Sequence, residues 1–424
     1  MKTLPSSGGL RYVGLRYMTR FHCLGADCED ACCGEWAVTV DSTRAALLRR
    51  VLPEFADVTV QRTDDEQREV VCMVQRPDKT CAMLDADRLC GIQRRYGEAL
   101  LPDDCAVYPR SVGQIGGRVE LSGTLSCPEV ARLCLLGEDA TDFVPVDPVL
   151  VTRGLVHYTY ADSPKDVSEA VFDDVRDLAR ELLAARQFDL DSRLFFLAAF
   201  FDSASLLLRP GAGPRAAVHF RALVQTMRQP EAQAQLRAQF LAAPRDAFAA
   251  SAVSQVVGAM QRRSTDSLRR LFGEVLGPLA RDPGSGVCQE PDGAFSFSPQ
   301  EFAASSDRRR VELPAAFLSE EDALLERLCQ NHLVRMWPLW SADLRAYGFG
   351  LFLRLAIVRF FLRHHPLVAG SGGDREKIRT AAVQVVYTLS RIFDHEGTIL
   401  RTTCEYFTEH ELDTLPNAVS LLKF

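Results

Sequence analysis

A chain of 424 residues is long enough for two or three domains, each with a core of its own. Apolar residues at 47% and charged residues at 25% are ordinary globular values. A formal net charge of −7 argues against nonspecific nucleic-acid binding, which needs a basic surface, and leaves room for neutral or basic protein partners.

The first twenty residues carry no apolar run of signal-peptide length, so a cytoplasmic location is expected. Disulfides are rare in that compartment, which turns the thirteen cysteines toward metal binding or thiol chemistry. Ten of them lie between Cys23 and Cys134. Four fall in the run Cys23-x4-Cys28-x3-Cys32-Cys33, a crowding that core packing does not call for.

In chain order, the β-branched alternation of Trp36–Asp41 reads as a strand and Arg44–Val51 as a short helix. Glu69–Val74 reads as a second strand, and Cys81 and Cys90 flank a small hairpin with an acidic turn. Ser111–Ile115 and Arg118–Leu125, joined by Gly116-Gly117, form the strongest hairpin signal, and Pro128 opens a helix to Leu136. From about Asp166 the apolar spacing becomes helical: Val167–Gln187, Asp191–Leu208, Arg215–Met227, Glu231–Leu241 and Ala252–Leu276. Arg281–Ser306 is rich in Gly, Pro, Ser and Asp and reads as a loop. Helices resume over Ser319–Trp337, with capping signals at Ser319–Asp322, then Ala342–His364 and Asp374–Asp394. Tyr347–Leu362 is the most apolar stretch. Arg354 and Arg359 make it too charged to span a membrane, so it reads as a buried helix whose arginine heads reach water or a partner. The expected fold is α+β: a cysteine-rich mixed domain at 1–150, a helical domain at 151–280, a linker at 281–312 and a helical region at 313–424.

Three outcomes compete for the thiols: an iron–sulfur cluster, one or two zinc sites, or reduced thiols without metal. Cys23-x4-Cys28 fits a zinc knuckle loosely and the adjacent Cys32-Cys33 does not, so the spacing favours iron–sulfur over zinc. The run Cys23 to Trp36 with Val38-Thr-Val-Asp41 closely resembles the opening motif of the flagellin lysine-N-methylase family. Leu89-Cys90-Gly-Ile-Gln93, Leu101-Pro-Asp-Asp-Cys105, Tyr108-Pro-Arg110 and Ser126-Cys127-Pro-Glu129 extend the resemblance. It covers about residues 17 to 136 and implies a methyltransferase that uses S-adenosylmethionine on flagellin lysines and carries a 4Fe–4S cluster. By that resemblance Cys23, Cys28, Cys32, Cys33, Cys81, Cys90, Cys105 and Cys127 are the candidate ligands, twice what one cluster needs.

The chemistry implied is displacement at a sulfonium methyl by a neutral amine. A free lysine has a pKa of about 10.4, so its neutral form costs about 4 kcal/mol near pH 7. Glu29, Asp30, Asp41 and Tyr108 are candidate acceptors or positioning groups, each with an alternative structural role. A radical Cys-x3-Cys-x2-Cys pattern would need a cysteine where Glu35 stands. No Gly-x-Gly-x-x-Gly fingerprint marks a donor site, and Ser371-Gly372-Gly373 reads as a turn and cap. That gap favours the alternative of a noncatalytic metal-binding scaffold or sensor. A thiol oxidoreductase would want a Cys-x-x-Cys pair at a strand-to-helix junction, which is lacking. His364-His365 reads as a helix end, and Trp337-Pro-Leu-Trp340 as core or a groove for a protein substrate.

Overall fold

The computed structural model describes residues 2–4, 9–34, 36, 38–63, 67–160, 168–209, 211, 215–262, 265–337, 343–395 and 398–424. Glu35, Trp340 and the expected helix start at 166–167 lie outside them.

The chain enters through β1 (Lys2–Thr3) and β2 (Arg11–Leu15) and then makes an excursion through the cysteine-rich stretch. The excursion holds β3 (Thr39–Val40), α1 (Ser42–Val51), α2 (Phe55–Val58), β4 (Thr59–Thr63), β5 (Glu69–Met73), α3 (Gly91–Tyr96) and α4 (Asp103–Val107). Its three strands pair antiparallel in the order β3-β5-β4. Val38, Val40, Leu48, Phe55, Met73, Met83, Ile92 and Leu101 form a small core separate from the main one. Residues 38–106 thus make a lobe with its own apolar centre.

The chain returns through β6 (Arg110–Ile115), β7 (Arg118–Gly123), α5 (Pro128–Leu136), β8 (Phe143–Pro145), β9 (Leu155–Val156) and β10 (Tyr158–Thr159). The expected Gly-Gly hairpin is there, with Gly116 at φ +52°, where a side chain is strained. A mixed sheet runs β10-β6-β7-β2-β8, with β2 parallel to β7 and antiparallel to β8. Leu15, Val112, Val119 and Leu121 on this sheet belong to the same core as the helices that follow. The first 150 residues therefore divide between two cores.

Those helices are α6 (Glu169–Leu183), α7 (Leu190–Leu208), α8 (Ala216–Met227), α9 (Pro230–Ala242), α10 (Phe248–Gln261) and α11 (Asp266–Ala280). The pattern read as one helix over Ala252–Leu276 is two: α10 closes at Gln261, and Thr265 caps α11, its Oγ1 accepting from Leu268 N at 3.1 Å. The segment read as a linker folds into a hairpin, β11 (Val287–Gln289) with β12 (Phe295–Phe297), and then α12 (Pro299–Glu312). Val287 and Phe302 anchor it in the main core.

The remaining helices are α13 (Ala315–Arg335), α14 (Leu344–Arg363), α15 (Pro366–Ala369), α16 (Arg375–His395), α17 (Thr398–Glu409) and α18 (Leu415–Lys423). Ser319–Asp322 lie inside α13, and Glu320 and Glu321 pair with Arg375, Arg379 and Arg363. Arg354 and Arg359 on α14 are buried on partners: Arg354 on Asp394 at 2.7 Å, Arg359 on Asp191 and on Leu422 O. His365 caps α15, its Nδ1 accepting from Leu367 N at 3.3 Å. Among the described residues no helix is long and apolar enough to cross a membrane.

Candidate active site

The cysteine-rich lobe gathers its thiols through backbone pairing. Cys81 N donates to Cys33 O at 2.7 Å, and Leu84 bridges to Cys90. Cys90 stands at the N-cap of α3, and Cys105 lies in α4. Cys33 interacts with both Cys32 and Cys90, and that interaction raises its own pKa while it lowers theirs. Burial raises Cys105 and Cys81, and the charges of Cys90 and Cys32 act on both. Cys28 is raised by burial and senses Cys23 and Cys32. Cys127, at the N-cap of α5, is pushed up to about 12, chiefly by burial, and senses Cys28 and Cys32. The electrostatic influences link Cys33, Cys81, Cys90 and Cys105 to one another, link Cys28 to Cys23 and Cys127, and include Cys32 in both sets. Among the described residues no three Cys, His, Asp or Glu side chains already stand in metal-holding geometry. In donor chemistry the set suits a thiolate-bound metal; its arrangement is not that of a closed site.

Where the lobe meets the helical core, Cys32, Gly34, Trp36, Tyr108, Arg391, Ile392 and His395 line a slot of about 280 Å³, space open to solvent included. Three rings form its wall. Trp36 and His395 stack with centroids 5.4 Å apart, and Tyr108 lies 6.2 Å from Trp36 and 5.8 Å from His395. Trp36 is fixed by its Nε1–H donating to Cys32 O at 2.9 Å.

A polar chain supports the wall from behind. His395 Nε2 and Ser126 Oγ are 2.7 Å apart, Ser126 Oγ is 2.9 Å from Thr124 Oγ1, and Thr124 Oγ1 donates to Asp394 at 3.2 Å. The Tyr108 hydroxyl is 3.3 Å from the same Ser126 oxygen. Burial lowers His395 to about 4, which keeps the imidazole neutral near pH 7. Burial raises Tyr108 well above the usual phenol value. Burial opposes ionisation of Asp394, but Arg335 and Arg354 outweigh it and hold the carboxyl well below the ordinary range.

The acidic candidates divide. Asp30 Oδ2 receives Arg391 Nη1 at 2.9 Å and the Ser267 hydroxyl at 2.7 Å, which ties the cysteine run to α16 and α11. Glu29 pairs with Arg132 on α5. Asp41 caps α1, its Oδ1 accepting from Arg44 N at 2.9 Å. Tyr108, of the four, lines the slot. Arg391 and His395 were missed in the sequence. Their spacing of four on one helix face was the signal, and only the approach of α16 to the motif gives it meaning.

The model of the FliB lysine N-methylase C-terminal domain matches residues 176–421, more than half of the chain and including α16. The chain belongs to the FliB lysine N-methylase family. This FliB-family protein is also 29% identical over 132 residues to a protein of Salmonella typhimurium named lysine-N-methylase, covering 29% of this chain and 32% of that one. It is 29% identical over 132 residues to the flagellar biosynthetic protein FliU of Salmonella muenchen, covering 29% of this chain and 76% of the relative. A lysine-N-methylase of Salmonella choleraesuis is 28% identical over 132 residues, covering 29% of this chain and 32% of its own. The chain thus spans about a third of the length of the two methylases it matches. No solved structure matches it.

Proposed function

We propose that this protein is an S-adenosylmethionine-dependent lysine N-methyltransferase acting on flagellin, with a 4Fe–4S cluster held by its cysteine-rich lobe. The observation that carries the reading is the slot itself. It joins Trp36 and Tyr108, from the stretch with the cysteine motif, to Arg391 and His395, from the region matched to the methylase family. Methyl transfer to an amine needs a neutral nucleophile and restricted water. An aromatic slot with a neutral imidazole suits both.

The thiols of the lobe would hold such a cluster, which would then staple the lobe beside the slot. Cys33, Cys81, Cys90 and Cys105 are the ligands we favour, with Cys32 as the neighbour that reaches the slot. The test is anaerobic purification with iron, sulfide and zinc analysis, followed by reaction with S-adenosylmethionine and flagellin. Iron with broad absorption near about 400 nm and a one-methyl mass increase on a flagellin lysine are expected. Zinc without iron overturns the cluster, and no mass increase on any lysine overturns the activity.

A further inference from the structure

The slot is a recess open to solvent, and its volume of about 280 Å³ includes that open space. A ligand side chain would therefore lie against its wall and not be enclosed by it.

Three features define what that side chain is. The wall carries a panel of three rings, which suits a methylene stem and an amine or methylammonium head. Among the described residues, the two carboxylates tied to the slot's surroundings are engaged: Asp30 by Arg391 and Ser267, Asp394 by Arg335 and Arg354. A slot built to grip a permanent cation would turn a carboxylate toward it. Finally, His395 uses Nε2 on Ser126, and its Nδ1 makes no hydrogen bond among the described residues.

We infer that the Trp36–Tyr108–His395 slot receives the lysine side chain of the protein substrate, its stem along the Trp36 and Tyr108 rings and its amine donating a hydrogen bond to His395 Nδ1. The inference rests on the methyltransferase reading. The centroid separation of 5.4 Å between Trp36 and His395 leaves no room between those rings, so the stem lies along the panel and is not sandwiched. The step it serves balances without a redox partner. The neutral amine forms the N–CH3 bond as the donor's S–CH3 bond breaks, and the S–CH3 bonding pair stays on sulfur as a neutral thioether. The nitrogen becomes a methylammonium, which the ring faces hold by cation–π attraction.

The test separates binding from turnover. The full-length protein, purified anaerobically, is titrated with N-methylbutylamine, a mimic of the methylated side chain, and the N-methyl proton resonance is followed. Ring currents from the panel shift that resonance upfield in a saturable way. Trp36→Ala weakens binding by about tenfold or more and raises KM for flagellin more than it lowers kcat, whereas Tyr108→Phe stays within about threefold of the parent. Because Trp36 also bonds Cys32 O, Tyr108→Leu serves as a second variant should Trp36→Ala unfold. An unshifted N-methyl resonance, or an unchanged flagellin KM in Tyr108→Leu, overturns the slot assignment. Amine binding in the slot with no lysine methylated on any flagellin leaves the slot standing and fells the methyltransferase reading instead.

Discussion

The Asp41 carboxylate faces the first turn of α1 and satisfies a backbone N–H that would otherwise lack a partner. Asp41→Ala should cost about 1 kcal/mol, visible as a lower urea midpoint, and Asp41→Asn should restore most of it, since asparagine caps comparably. A role in proton transfer would show the opposite pattern, with activity lost in the asparagine variant as well. Asp41, Asp30, Glu29 and Tyr108 are equivalent in a sequence because each sits near the cysteine run. What separates them is a partner far away in the chain: Ser267 and Arg391 for Asp30, Arg132 for Glu29, Ser126 and His395 for Tyr108. His395 carries only its spacing of four from Arg391 as a local mark, and that spacing gains meaning only where α16 meets the cysteine run.

Elements with strong local chemistry were legible. The Gly116-Gly117 hairpin, the Pro128 helix start and the helices from Leu190 to Ala242 fall within a residue or two of their expected places. The 281–312 segment was not, because its few apolar residues are scattered among turn formers, yet Val287 and Phe302 fold it onto the main core. The pairing of β2 with β7 is a long-range match between segments that carry no mark of each other. Packing on that sheet gives a sharp prediction. A Cβ on Gly113 of β6 would come within 2.3 Å of Trp337 Cζ2. Gly113→Ala should therefore destabilise by about 1–3 kcal/mol, read from the urea midpoint. Adding Trp337→Leu should cost less in the Gly113→Ala background than in the parent, because it removes the ring that the new methyl group meets. Simple additivity of the two would mean that the ring is not the obstacle.

For the whole molecule, two cores imply two levels of stability. The lobe core of residues 38–106 is small and stands beside the thiols, so removing the proposed metal should raise amide exchange there before it does in α7 or α14. Asp30→Asn, which cuts the tie between the cysteine run and α16, should do the same with metal present. The helical core makes a separate prediction about pH. Burial lowers His157, His364 and His395 to about 4 and His332 to about 3. In the unfolded chain a histidine titrates near about 6.5. Around and below that pH the unfolded state takes up protons that the folded state refuses, so stability falls as pH drops through about 6.5 toward 4; well above 6.5 these four groups contribute no slope. Asp322, pushed up to about 6 by burial, works the other way: the folded state binds its proton first and offsets roughly one histidine between pH 6 and 4. Asp394 titrates below the window and adds nothing to it. The net expectation is a loss of a few kcal/mol between pH 7.5 and pH 5, seen as a lower urea midpoint with little change in m. His364→Gln should reduce that loss, since it removes one of the refused protons. A midpoint equal at the two pH values would show that the imidazoles ionise inside the fold.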